Sequence, residues 1–286
     1  MRFWNNTKTA LLLGAMMGLC MFVGHLIGGL QGMMMGLLFG GIGNIISFWF
    51  SDKIALSMMQ GQEITRDDVP WLYDMIQDLS QRAGLPMPRV YVCPHEAPNA
   101  FATGRNPANS AVAITAGMLR GFSQPEIEGV LAHEIGHIKH RDVLISTIAA
   151  VMAGLISYAG YALMFFGGGS RDNQNPLGAI GAIVAMVLAP IGAAIIQMAI
   201  SRQREYAADS FAGELVGDPR KLAYALQRLQ RGNERTPTDV NPSMNSLFII
   251  EPLSGQHSFT SIFATHPPTE KRIAALMEQA RVMGLA

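Results

Sequence analysis

The sequence predicts a mainly α-helical membrane protein with four transmembrane helices and a separate α+β domain that contains a small β-sheet. Three observations carry this prediction. Four uncharged apolar runs, at about 9–30, 31–50, 143–166 and 177–200, each reach the roughly 20 residues that a hydrocarbon core demands. Three short β-prone segments, 89–93, 99–103 and 111–115, are separated by Pro, Gly and Asn. Finally, the stretch from Ser123 to Asp142 repeats its apolar residues at helical spacing between polar flanks. Residues 1–55 then form an N-terminal membrane hairpin and 143–200 a second one, while 56–142 and 201–286 together make the soluble domain.

The first two spans have almost no loop between them, so they form a tight hairpin. Glycines at 14 and 18, 24 and 28, and 32, 36 and 40 make ridges of small residues that let helices approach closely. His25, near the hairpin end, reads as a packing residue. A basic start followed by an apolar run also resembles a signal peptide, but the run is too long and lacks a small-residue cleavage site, so it is expected to stay. Trp4, Phe48, Trp49 and Phe50 mark one membrane face, with Arg2, Lys8 and Lys53 beside them. The loop between the third and fourth spans carries only Arg171, balanced by Asp172, whereas Lys139, Arg141, Arg202 and Arg204 flank the opposite ends. Positive charge in short flanks stays cytoplasmic, so both termini and the soluble domain are expected inside.

In the soluble domain, 69–83 reads as a helix behind Asp67, Asp68 and Pro70, closed by Gly84, with Leu72, Met75, Ile76 and Leu79 inward. The three β-prone segments follow and read as a sheet. Such a sheet can offer an edge strand to an extended peptide. Further on, 219–230 reads as a helix with Leu222, Leu226 and Leu229 inward. The chain ends in another helix with Ile273, Leu276 and Met277 inward, and 245–250 suits a short strand.

The chemistry lies in the helix that begins at Ser123. Ser123 and Glu126 make a capping box, Pro125 suits a first turn, and Ile127, Val130, Leu131, Ile135 and Ile138 form its apolar side. Within it stands His133-Glu134-Ile135-Gly136-His137. At about 3.6 residues per turn, His133 and His137 share a face one turn apart and can reach one ion at ~2.0–2.1 Å. Glu134 lies on the flank of that face, placed to accept a proton from an activated water rather than to bind the ion. Gly136 would keep the wall beside the metal low.

A zinc ion that does chemistry needs a third protein ligand and an open position. His140 stands ~10.5 Å of helical rise from His133, too far for both to meet one ion. Glu205, with Asp209 one turn further on the same face, suits the third ligand, and Asp209 suits the hydrogen bond that orients a ligating histidine. Whether the ligand helices run on into the neighbouring spans, or break at Arg141-Asp142 or Ser201, the sequence leaves open.

Composition excludes other classes. Lysine and arginine (21) equal aspartate and glutamate (21), and no basic run exists, which argues against nucleic acid as a partner. A chain 49% hydrophobic and 15% charged is suited to the lipid bilayer. Two cysteines, Cys20 and Cys93, provide neither a disulfide framework nor a thiolate site. The charges around His133, from Glu126 to Asp142, argue against a site embedded in hydrocarbon.

At this point the chain resembles the HtpX-type membrane zinc metalloproteases of bacteria, gluzincins related to the CAAX prenyl proteases of eukaryotes. The resemblance covers nearly the whole chain. It rests on Pro98-Asn99-Ala100-Phe101-Ala102-Thr103-Gly104, on the segment from His133 through Asp142, on Ser201 through Asp209, and on Thr265-His266-Pro267-Pro268. It implies a gluzincin-like fold and one zinc ion held by His133, His137 and Glu205, with Glu134 as base and Asp209 in support. It also implies that Asn99, Ala100, Phe101 and Ala102 border the substrate. His266 would stabilise an oxyanion, although a histidine capping the turn before two prolines is an alternative. The implied substrates are proteins or peptides, chiefly damaged membrane proteins cleared under stress at the bacterial inner membrane.

Overall fold

The computed structural model describes residues 2–144, 147–148, 202–235, 248–249 and 267–285 of the 286-residue chain. Helix α1 (Arg2–Met58) doubles back on itself. Gly24 and Gly32 would stand ~12 Å apart on a straight helix. Instead, a Cβ added at Gly24 would fall 2.1 Å from the Gly32 carbonyl oxygen, and Asn44 Nδ2 donates to Leu13 O at 2.9 Å across 31 positions. The reversal lies at Gly29, with φ 57°, a left-handed conformation that glycine adopts without a Cβ penalty. Gly24, Gly32, Gly36 and Gly40 line the contact between the arms. Gly14 and Gly18 do not, since a Cβ at either would meet nothing within 4 Å among the described residues. The stretch Gly29–Met58 is long and apolar enough to cross a membrane, and Leu13–Phe22 is apolar over a shorter length. Leu30, Met34, Phe39 and Ile45 stand largely exposed along it. The third and fourth apolar runs lie outside the described residues, except for 143–144 and 147–148, which are helical.

Beyond α1 the described chain packs helices on a four-stranded sheet. Its strands are β1 (Gln62–Ile64), β2 (Arg89–Cys93), β3 (Ala100–Gly104) and β4 (Ser110–Thr115), in the order β1-β2-β4-β3. The pairs β1/β2 and β3/β4 are antiparallel and β2/β4 is parallel, which leaves β3 as an edge. Three of these strands are the β-prone segments, although Asn99 precedes β3 instead of starting it. At three residues, β1 is too short to leave a period-2 signature.

The sheet is covered on both faces, and period 2 sorts its residues between them. Val90, Ala100, Ala102, Val112 and Ile114 join a core with α2 (Pro70–Ala83), α4 (Gln124–His140), α5 (Arg202–Val216), α6 (Arg220–Arg235) and α7 (Thr269–Val282). Tyr91, Cys93, Phe101, Ala111 and Ala113 face the other way, onto Ala55, Leu56 and Met59 at the end of α1. The last turns of the apolar hairpin are therefore built into the domain that carries the sheet. Asp52 strengthens this junction, pairing with Arg89 at 2.7 Å. Burial pushes the Cys93 thiol up to about 12, so it is no thiolate ligand.

The helices follow their sequence signals. Helix α2 ends on Gly84 at φ 68°, and α3 (Ala116–Gly121) is a short connector capped by Thr115. In α4 the capping box is formed, Ser123 N donating to Glu126 Oε2 at 2.8 Å, and all five expected apolar residues are buried. Leu222, Leu226 and Leu229 of α6 are buried as expected. Helix α7 is rotated from its expected face: Arg272, Leu276 and Ala280 point inward and Met277 is exposed. Residues 248 and 249, placed in an expected strand, form a bend, with Phe248 on the α1 side and Ile249 in the core with the other helices.

Gly129 fixes the approach of α6, because a Cβ there would sit 2.6 Å from the Leu222 backbone nitrogen. Gly129→Ala is expected to cost about 1–3 kcal/mol, read from denaturant unfolding of the solubilised protein. A change inside about 0.5 kcal/mol would contradict this contact.

Candidate metal centre

Helices α4 and α5 cross closely because Gly136 has no side chain. A Cβ there would come 3.1 Å from Phe211 Cδ1 and 3.3 Å from Ala208 Cα, so this glycine faces α5. Its absent Cβ lets Glu205 reach the histidine face of α4. His133, His137 and Glu205 then offer three ligand atoms, all within 4.8 Å of one another. His133 Nε2 and His137 Nε2 are 3.0 Å apart, and Glu205 oxygens lie 3.7 and 3.6 Å from them. Tetrahedral ligands at ~2.0–2.1 Å from one ion stand about 3.3–3.4 Å apart, so the spacing suits zinc. His140 belongs to no such group; its ring packs edge-on against Phe211.

The outer nitrogens explain why this arrangement wants a cation. His133 Nδ1 lies 2.9 Å from Asp209 Oδ1, and His137 Nδ1 lies 3.2 Å from Asp142 Oδ2. Each carboxylate favours a proton on the Nδ1 it faces, which turns the lone pairs of both Nε2 atoms toward each other. At 3.0 Å that contact is repulsive unless a positive charge sits between them. The two rings respond in opposite directions. Burial and the neighbouring ring hold His133 below the usual histidine range, whereas for His137 the Asp142 and Glu205 carboxylates outweigh burial and raise it.

Of the two histidines, it is His133 that Asp209 faces. Its own partner is Arg272, which donates from Nε and Nη2 at 2.8 and 2.7 Å. Burial alone would raise the Asp209 carboxyl, but the Arg272 guanidinium outweighs it and holds the group down at about 2. Arg272 is fully buried, and it also donates to Ile249 O at 2.9 Å and lies 3.6 Å from Glu205 Oε2. Neither Arg272 nor Asp142 was assigned a role from sequence. The available signal for Arg272 was its position, four and eight residues before Leu276 and Ala280. Replacing Asp209 by Asn is expected to weaken zinc binding about 10–100-fold in a chelator titration. Unchanged affinity would mean that Asp209 does not orient the ring.

Glu134 is buried beside the ligands, and its Oε2 accepts the Ala102 main-chain N–H at 2.7 Å. Burial pushes its carboxyl up to about 7, against the pull of His137 and of that N–H. The edge of β3 away from β4 thus meets Glu134 through the Ala102 N–H. Around it, Asn99, Ala100, Phe101 and Ala102 have buried side chains. Asn99 Oδ1 accepts from Ile249 N at 3.2 Å, Phe101 packs toward α1, and Ala100 and Ala102 pack on the face that carries α4. His266 lies outside the described residues.

Residues 67–280 match the family model described as Peptidase family M48. A protein from Persephonella marina named "Protease HtpX homolog" is 49% identical over 287 residues, covering 98% of this chain and 99% of its own. One of the same name from a Sulfurihydrogenibium species is 45% identical over 289 residues, covering 98% and 97%. The crystal structure of S. mikatae Ste24p matches at a TM-score of 0.50 and 20% identity, covering 96% of this chain and 66% of that one, a likeness of fold alone.

Proposed function

Since the chain belongs to peptidase family M48 and is a metallopeptidase, we propose that it is a membrane-bound zinc endopeptidase with its site at the cytoplasmic face of a bacterial inner membrane. The observation that carries this reading is the buried cluster of His133, His137 and Glu205 with Glu134 on its flank. A zinc ion bound there would polarise the scissile carbonyl and lower the pKa of a water molecule to near 7. Glu134 accepts the proton of the attacking water and delivers it to the leaving amine, so no covalent intermediate with the protein is needed. Asp209 and Asp142 hold the two histidine tautomers, and Arg272 keeps Asp209 ionised. The β3 edge aligns an extended substrate chain through main-chain hydrogen bonds. His266 is proposed to share the charge that develops on the carbonyl oxygen.

Four spans, 9–30, 31–50, 143–166 and 177–200, would anchor this domain with both termini inside, as the flanking lysines and arginines favour. Helix α4 breaks before the third run: Arg141 closes it at φ 59°, and the chain re-enters helix at Val143. That break separates the metal site from the third run and would leave the site just outside the bilayer. This position suits substrates emerging from the bilayer, and damaged or misfolded membrane proteins cleared under stress fit it best. The test is cleavage of an unfolded membrane protein by the purified, reconstituted chain. Chelation should abolish cleavage and zinc restore it; cleavage that survives full removal of metal would refute this reading.

A further inference from the structure

Strand β3 is an edge, paired on one side only, to β4. Its place beside the metal site therefore depends on what grips its faces. Ala100 and Ala102 pack on the face that carries α4, and alternation puts Phe101 and Thr103 on the opposite one. The contacts on that second face come from segments continuous with the two apolar hairpins. Phe101, 2% exposed, packs in one cluster with Ala55, Leu56 and Met59 at the end of α1. Thr103 meets Thr147, which belongs to the third apolar run, with their hydroxyl oxygens 3.2 Å apart.

The direction of this hydrogen bond follows from the second partner of Thr147. Its hydroxyl donates to Val143 O at 2.9 Å, one helical turn back, and a hydroxyl has a single proton to give. Thr103 is therefore the donor and Thr147 the acceptor. Both residues are 0% exposed, so water does not compete for the bond. Between the Phe101 and Thr103 contacts stands Ala102, whose N–H meets Glu134 Oε2 at 2.7 Å. A shift of β3 at either neighbour moves that N–H, and with it any chain paired to the strand.

We propose that Thr103 is a positioning residue for hydrolysis, its hydrogen bond to Thr147 fixing β3 so that the third apolar run, opposite α1 behind Phe101, sets where the substrate lies. This rests on the reading of the chain as a zinc endopeptidase that aligns its substrate along β3. Each hairpin holds one side of Ala102, so seating of both becomes a condition of cleavage. A peptide follows the strand it pairs with, and slackening the bond therefore leaves KM nearly unchanged. It lowers kcat, because the scissile carbonyl is displaced from the metal ligands and Glu134.

The test is steady-state cleavage of dye-quenched casein by the full, reconstituted chain, with kcat expressed per bound zinc. Thr103→Val keeps the shape of the side chain and leaves the Thr147 proton on Val143 O, so no donor is orphaned. It should lower kcat about 10-fold with KM and zinc content unchanged, and Thr103→Ser should keep the wild-type kcat. Thr103→Val combined with Thr147→Val should lose no more than Thr147→Val alone, since both remove one bond. If Thr147→Val does not fold, the contrast of Val and Ser at 103 decides alone. An unchanged kcat in Thr103→Val, an equal loss in Thr103→Ser, a rise in KM alone, or a double loss equal to the product of the single ones would overturn the proposal and leave the endopeptidase reading intact. Wild type that cleaves no casein, or cleaves it without metal, would sink both.

Discussion

Glu134→Gln is expected to keep its zinc, its fold and its membrane insertion while losing peptide hydrolysis by about 10²–10⁴-fold. The amide has the size of the carboxylate and can still accept the Ala102 N–H, which the wild-type side chain does at 2.7 Å. What it cannot do is take a proton. The ligand atoms belong to His133, His137 and Glu205, so metal content should not follow activity. A structural metal site would behave otherwise, having no use for a base beside it. Zinc content and cleavage of an unfolded protein, measured together, separate these cases. Full activity in the variant would remove Glu134 from the mechanism, and loss of zinc would make it a ligand.

Arg272→Met should destabilise the chain by about 3–5 kcal/mol, because it leaves Asp209 charged and buried without its partner. Metal affinity should fall as well, since Asp209 holds His133. The sign with pH follows from the depressed carboxyl. Asp209 sits at about 2 in the fold against an ordinary 3.8, so its contribution is complete above about pH 4 and is lost as pH falls toward 2. Without Arg272 that acid limb moves to higher pH. Replacing both partners by apolar residues should recover part of the stability, though not the metal affinity. Unfolding midpoints across pH check this, and a loss under about 1 kcal/mol would contradict the pairing.

Much of the site was legible because its groups declare themselves locally. Two histidines and a glutamate within one turn, and two acids four apart, follow directly from the helical repeat. That Asp209 serves His133, and Asp142 serves His137, was not legible, because it depends on how α4 and α5 cross. Arg272 was hidden for a related reason. A buried arginine has the residue type of a solvated face, and only its bidentate contact to Asp209 makes burial tolerable. Met277 reads as inward on apolar spacing alone, yet it is exposed, and Arg272 takes the buried position beside Leu276. In the hairpin the glycine ridge meets the other arm at Gly24, Gly32, Gly36 and Gly40, whereas Gly14 and Gly18, read the same way, meet nothing within 4 Å among the described residues.

The central claim is that two imidazoles and one carboxylate hold a single zinc ion. Zinc X-ray absorption on the solubilised chain tests it most directly. Two imidazole nitrogens and one or two oxygens at ~2.0–2.1 Å are expected, with the histidine pair retained and the oxygen contribution altered in Glu205→Ala. A sulfur ligand at ~2.3 Å, or a spectrum unmoved by the loss of Glu205, would contradict it.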